Sequence, residues 1–178
     1  MIILIGASAS GKTTVAKFLT TNYDFKKFVT TTTRLPRKNE INSIDYNFVN
    51  LTTFEDKIKN NEFIEHTFYN NNYYGSEKKS ISDNSIIIVE FEGLKAFKNL
   101  SNSNIISYFL KSSEENRIKR MKERGDNEDN IISRINHDKF KFNEENYIKY
   151  IDKIIDTDNL SVKEISEIIV NDYKKRIK

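Results

Sequence analysis

The 178-residue chain contains no cysteine. That excludes disulfides and thiolate metal sites. Histidine is nearly as scarce. His66 and His137 stand far apart and away from paired acids, which argues against a metal centre and offers no Ser-His-Asp triad. Proline occurs once, at Pro36. No apolar run approaches the ~20 residues a membrane-spanning helix needs. There is no long Lys/Arg block and the formal net charge is only +3, so the composition suits small anionic ligands and gives no argument for nucleic acid or membrane as partner. The first residues lack the charged start and cleavage site of a signal peptide, so a cytoplasmic location is expected. With 37% hydrophobic and 31% charged residues, the chain reads as one soluble domain with a sizeable core.

What the chain does contain, near its start, is Gly6-Ala7-Ser8-Ala9-Ser10-Gly11-Lys12-Thr13-Thr14, directly after the apolar run Ile2–Ile5. Gly6, Gly11, Lys12 and Thr13 satisfy the G-x-x-x-x-G-K-[ST] spacing of a P-loop. Glycines let backbone N–H groups turn inward around phosphate oxygens. The helix that follows adds the positive end of its dipole. Lys12 is then expected to reach the β- and γ-phosphates, and the Thr13 hydroxyl to ligate Mg²⁺. The stretch Gly6 to Thr14 is therefore assigned to a nucleoside triphosphate, ATP in the simplest reading.

Strand-like and helix-like segments alternate, which predicts an α/β fold with a parallel sheet flanked by helices. Strands are expected at Ile2–Ile5, Lys27–Thr31, Asp45–Val49, Glu62–Tyr69, Asn72–Gly75, Ser85–Glu90, Ile105–Leu110 and Ile151–Asp156. A helix is expected over Gly11–Thr21, and another over Thr53–Asn60 with Thr53 as its cap. Ser112 with Glu115 reads as a capping box for a helix to about Arg124. A break at Gly125 precedes a charged helix to about Tyr150. Ser161 with Glu164 caps a last helix carrying Ile165, Ile168 and Ile169 on one face. Segments 34–83 and 113–146 fall outside the parallel core. Charged insertions at the mouth of an α/β sheet commonly bind substrate or close over it.

Arg34 and Arg37, three apart in a Pro-containing loop, offer two planar forks to one anion. Tyr46 and Tyr74 offer hydroxyls. The stretches TTRLPRKNEINSIDYNFV, NNEFIE and NYYG, in this order after a P-loop, resemble the guanylate kinases over nearly the whole chain. The resemblance implies a P-loop NTPase core (1–33, 84–112 and 147–178), a small mixed-β GMP-binding arm (34–83) and a helical lid (113–146). It implies phosphoryl transfer from ATP to GMP, and dGMP as a second acceptor, with Mg²⁺. It gives no choice between monomer and homodimer.

By the same resemblance Arg34, Arg37, Tyr46 and Tyr74 hold the acceptor phosphate. Glu65, Thr30 and Ser76 read guanine. Hydrogen-bond logic agrees: a carboxylate accepts from guanine N1–H and N2–H₂, a hydroxyl donates to O6, and adenine would present an acceptor to Glu65. The family's D-x-Q-G stretch is Glu90-Phe91-Glu92-Gly93 here, with Ile88 where an upstream acid is usual and a shortened segment between Gly75 and Gly93. Glu90 either reads guanine or supports the Mg²⁺ water shell. Arg120, Arg124 and Arg134 match the lid arginines, which with Lys12 and Arg34 form the expected catalytic set. Lys119, Lys122 and Lys139 read as solvated surface. The adenine-contacting Asn of the family is Thr157 here. Two alternatives stay open: a related kinase with another acceptor, such as ribose 1,5-bisphosphate, and a non-catalytic guanylate-kinase-like binding module.

Overall fold

In a computed structural model, described over residues 1–69, 71–100, 104–141 and 148–177, the strands are β1 (Ile2–Ile5), β2 (Lys26–Lys27), β3 (Thr31–Thr32), β4 (Asn47–Phe48), β5 (Phe63–Tyr69), β6 (Asn72–Glu77), β7 (Ser85–Ile88), β8 (Ile106–Lys111) and β9 (Lys153–Asp156). The helices are α1 (Lys12–Asn22), α2 (Leu51–Lys59), α3 (Phe91–Lys98), α4 (Glu114–Glu123), α5 (Glu128–Lys141) and α6 (Val162–Arg176). Five strands form a parallel sheet in the order β2-β7-β1-β8-β9, and four form a mixed sheet in the order β4-β3-β6-β5.

Strand β1 is buried along its whole length, as an unbroken apolar run in a parallel sheet should be. Its side chains alternate between two cores. Ile2 and Leu4 join Leu19, Tyr108 and Ile169 under α1 and α6. Ile3 and Ile5 join Leu94, Phe97 and Phe109 under α3. The sheet is thus covered on both faces, which leaves the C-terminal ends of β1 and β7 as the place where loops meet, the usual ligand edge of such folds.

Local differences from the sequence expectations have physical causes. The single strand expected over Lys27–Thr31 is split: Lys26–Lys27 pairs with β7, while Thr31–Thr32 pairs with β4 and β6 in the other sheet. Helix α2 starts earlier, because the Asn50 side chain accepts the Thr53 N–H at 2.8 Å and Asn50, not Thr53, is the cap. Helix α4 is capped by Ser113, since the Ser112 hydroxyl is drawn to Asp158 at 2.7 Å. Helix α3 was not expected at all. The charged helix is described to Lys141, and its expected continuation over 142–147 lies outside the described residues. The Ser161–Glu164 capping box is present. Among the described residues, no helix is long and apolar enough to cross a membrane.

Candidate active site

The loop between β1 and α1 is shaped by its glycines. Gly6 has φ +151°, and a Cβ there would lie 2.5 Å from the Leu110 carbonyl oxygen. Gly11 has φ +98° and opens α1. Ala9 also sits in the left-handed region, at φ 60°. The loop curls around the Lys12 ammonium, which donates to the Gly6 and Ala7 carbonyls at 2.7 Å each. Burial lowers the proton affinity of Lys12, opposed by the charges of Asp138 and Glu90. A cavity of about 240 Å³ lies over the loop, lined by Ala9, Gly11, Lys12, Thr13, Thr14, Arg120 and Arg124. Backbone donors at a helix N-terminus with three cations around them suit a polyphosphate.

Helices α4 and α5 sit against this loop. Arg120 donates to the Ala9 carbonyl (3.2 Å), the Ser112 hydroxyl (3.3 Å) and the Thr157 carbonyl (3.2 Å). Arg124 is paired with Asp126, its Nε at 2.9 Å from Oδ1. That bond holds the Asp126 carboxyl below its usual range. Arg134 lies exposed on α5 and does not line the cavity. Ala9 packs with Met121, Ile131 and Ile135, a small core between the two helices and the loop. Asp138 on α5 accepts from the Ser8 N–H at 2.8 Å and from Arg117 Nη1 at 2.8 Å.

On the other side, a cavity of about 400 Å³ runs from Thr13 to Thr30 and Tyr46, past Ile88. Arg34 does not line it but packs against Tyr46, which does. Its guanidinium carbon lies 5.3 Å from the Tyr46 ring centroid, and the Tyr46 and Tyr74 rings are 6.2 Å apart, edge to face. Arg34 Nη2 bonds both oxygens of Glu40, at 2.8 and 2.9 Å, and Glu40 also accepts the Arg37 N–H at 2.7 Å. The Arg37 side chain is exposed. The carboxylate of Glu40 is thus gripped by a guanidinium and a loop amide, which raises the proton affinity of Arg34 and lowers that of Glu40.

Glu65 and Ser76 face each other across β5 and β6, and the Ser76 hydroxyl donates to Glu65 Oε1 at 2.6 Å. A buried neighbour, Glu77, accepts from Thr31, from Lys57 at 2.9 Å and from Lys79 at 2.9 Å. Burial alone would push its carboxyl up, but these donors hold it at about 2. Glu90 occupies the N-cap position of α3 just past the end of β7, and its charge is felt at Lys12.

The structure therefore brings Lys12, Thr13, Arg120 and Arg124 to one cavity, and Thr13, Thr30 and Tyr46 to the next. Sequence reasoning missed Glu40, Asp126, Arg117 and Asp138. The first two are ordinary acids in polar stretches and carry no local signal. The last two carry one, being charged residues on otherwise apolar helix faces.

The family model for guanylate kinase matches residues 1–172. The chain is 32% identical over 178 residues to the guanylate kinase of Clostridium tetani, covering 95% of this chain and 84% of that one. It is 29% identical to the guanylate kinase of Mycoplasma genitalium, covering 97% and 76%. The crystal structure of guanylate kinase from Anaplasma phagocytophilum superposes with a TM-score of 0.68 at 24% identity, over 100% of this chain and 86% of that one.

Proposed function

The chain belongs to the guanylate kinase family, enzymes that phosphorylate GMP, and we propose that it uses ATP as donor and accepts dGMP as well as GMP. The observation that carries this reading is the pair of adjoining cavities that share Thr13, one ringed by P-loop amides, Lys12, Arg120 and Arg124, the other bordered by Thr30 and Tyr46. The first suits a triphosphate and the second a nucleoside monophosphate. In this reading 34–83 is the acceptor arm and 113–146 the lid.

The steps follow from charge and position. The Gly6–Thr14 loop binds the β- and γ-phosphates, and Lys12 leaves the Gly6 and Ala7 carbonyls to follow the migrating phosphoryl group. Arg34, Arg37, Tyr46 and Tyr74 orient the acceptor phosphate in line with it. Arg34 must exchange Glu40 for the phosphate or hold both. Glu65, Thr30 and Ser76 select guanine, and Glu90 either reads the base with them or supports the Mg²⁺ water shell. Arg120, Arg124 and Arg134 complete the positive surround and exclude water. Arg120 spends its donors on backbone carbonyls here, so a small rotation toward the phosphates is needed.

A divalent ion fits this donor set. Among the described residues there is no group of three His or acidic side chains that could hold one alone. A Mg²⁺ bound by substrate phosphates needs only one or two protein ligands, and Thr13 lines both cavities to supply one. When bound, the ion would neutralise charge on the donor phosphates.

The presence of Lys12, Arg120 and Arg124 around one cavity favours a catalyst over a non-catalytic binding module. The test is a coupled ADP-release assay with ATP and Mg²⁺ against GMP, dGMP, AMP and ribose 1,5-bisphosphate. GMP and dGMP should be turned over far faster than AMP. Preference for ribose 1,5-bisphosphate, or no turnover with any acceptor, would overturn the assignment.

A further inference from the structure

Helix α5 buries Ile131, Ile135 and Asp138, spaced four and three apart, on one face. Helical periodicity would fill that face with apolar side chains. Opposite it, α4 buries Arg117 and Met121. Positions 117 and 138 therefore hold an ion pair where two apolar residues would pack. The pair is 2.8 Å long, and its side chains are 8% and 5% exposed. At that depth an ion pair is no more stabilising than well-packed apolar residues of similar volume. This one also leaves Arg117 Nε without a bonding partner among the described residues.

What a carboxylate at 138 has that an apolar residue lacks is a bond out of the helix pair. The Ser8 N–H donates to Asp138 Oδ2 at 2.8 Å, and the Ser8 hydroxyl to Oδ1 at 3.3 Å. Ser8 belongs to the P-loop. Arg117 offsets part of the charge that the carboxylate places beside Lys12. The same two helices carry Arg120, bonded to Ala9, and Arg124, both in the lining of the donor cavity.

We propose that Asp138 is a positioning residue for phosphoryl transfer: backed by Arg117, it docks α5 onto the Ser8 amide and so sets Arg120 and Arg124 over the P-loop before the donor nucleotide arrives. The proposal rests on the kinase reading for its purpose, but the docking itself is a structural statement. A docked lid has already made part of the ordering that donor binding would otherwise require.

The decisive variant is Arg117→Leu/Asp138→Ala, which refills the face with apolar groups in place of the ion pair and removes the two bonds to Ser8. Asp138→Asn keeps the volume and one acceptor oxygen for the Ser8 N–H. Because the chain has no cysteine, spin labels at Thr21→Cys and Asn130→Cys, both exposed, report the distance between α1 and α5 without ambiguity. Nucleotide-free wild type should give one narrow distance that a non-hydrolysable ATP analogue barely changes. The double variant should give a broad distribution shifted to longer distances, narrowed again by the analogue, with Asp138→Asn between the two. If the docked fraction falls to about a fifth, the KM for ATP should rise about fivefold while that for GMP stays within about twofold. An unchanged distance distribution in the double variant would overturn the proposal. So would a changed melting temperature with an unchanged KM for ATP, since the pair would then be merely structural. The distance measurement needs no turnover, so a wild type inactive on GMP would refute the functional reading and leave the docking result standing.

Discussion

Replacing Glu65 with glutamine tests how the base is chosen. Glu65 Oε1 accepts the Ser76 hydroxyl at 2.6 Å. In the functional reading the carboxylate also takes guanine N1–H and N2–H₂, so its lone pairs serve three donors. Glutamine has one oxygen and one NH₂. Turned one way, its oxygen keeps Ser76 and its NH₂ opposes a guanine N–H. Turned the other way, the NH₂ faces Ser76, whose hydroxyl can rotate to accept, and the oxygen serves one guanine donor while the second loses its charged acceptor. Either way at least one guanine N–H is left without the partner it had. A hydrogen bond to a charged group is worth roughly 2–3 kcal/mol in such a site. At about 1.4 kcal/mol per tenfold, kcat/KM for GMP should fall roughly 30- to 150-fold. The value for AMP should hold or rise, because adenine N1 is an acceptor and the glutamine NH₂ a donor. The assay is steady-state ADP release with both nucleotides on wild type and variant, with a thermal melt to show that the fold is intact. Unchanged kcat/KM for GMP in the variant, or equal use of GMP and AMP by the wild type, would refute this account of the pocket.

Lys12→Ala should abolish transfer with little change in melting temperature, since among the described residues the ammonium bonds to its own loop; a variant with near-normal turnover would remove the P-loop mechanism. Glu40→Ala should raise the KM for GMP by roughly two- to fivefold, the worth of a half-buried ion pair that orients Arg34 near the surface, with little change in kcat. A fall in KM would mean instead that the Glu40 carboxylate competes with the acceptor phosphate. Glu77 has its carboxyl lowered from 4.5 to about 2, so the stability it contributes is complete above about pH 4.5 and is lost as pH falls toward 2. Urea melts at several pH values should show that loss in the wild type and a flatter profile in Glu77→Gln, and identical slopes would remove Glu77 from the acid response.

The parts of the fold that could be read from the chain are those specified by neighbours in sequence. Strand β1 is an unbroken apolar run, the P-loop has a fixed spacing, and the Ser161–Glu164 capping box closes within four residues. The parts that could not be read depend on distant partners. Ser112 reads as the cap of α4, but Asp158, from the far end of the chain, captures its hydroxyl and leaves Ser113 as the cap. The chain over 27–31 looks like one strand because nothing local says that Lys26–Lys27 will pair with β7 and Thr31–Thr32 with β6. Helix α3 hides because it is short, contains Gly93, and buries only Leu94 and Phe97. The site divides along the same line. Lys12, Arg34, Arg120 and Arg124 could be named from motif positions, but the acids that hold three of the cations or their helices in place could not. Glu40 reaches Arg34 across a loop, Asp126 reaches back around Gly125 to Arg124, and Asp138 meets Ser8 from 130 residues away. A cation that must meet a phosphate is recognisable by type and spacing. The carboxylate that aims it can come from wherever the fold passes nearby, and only the folded chain shows where that is.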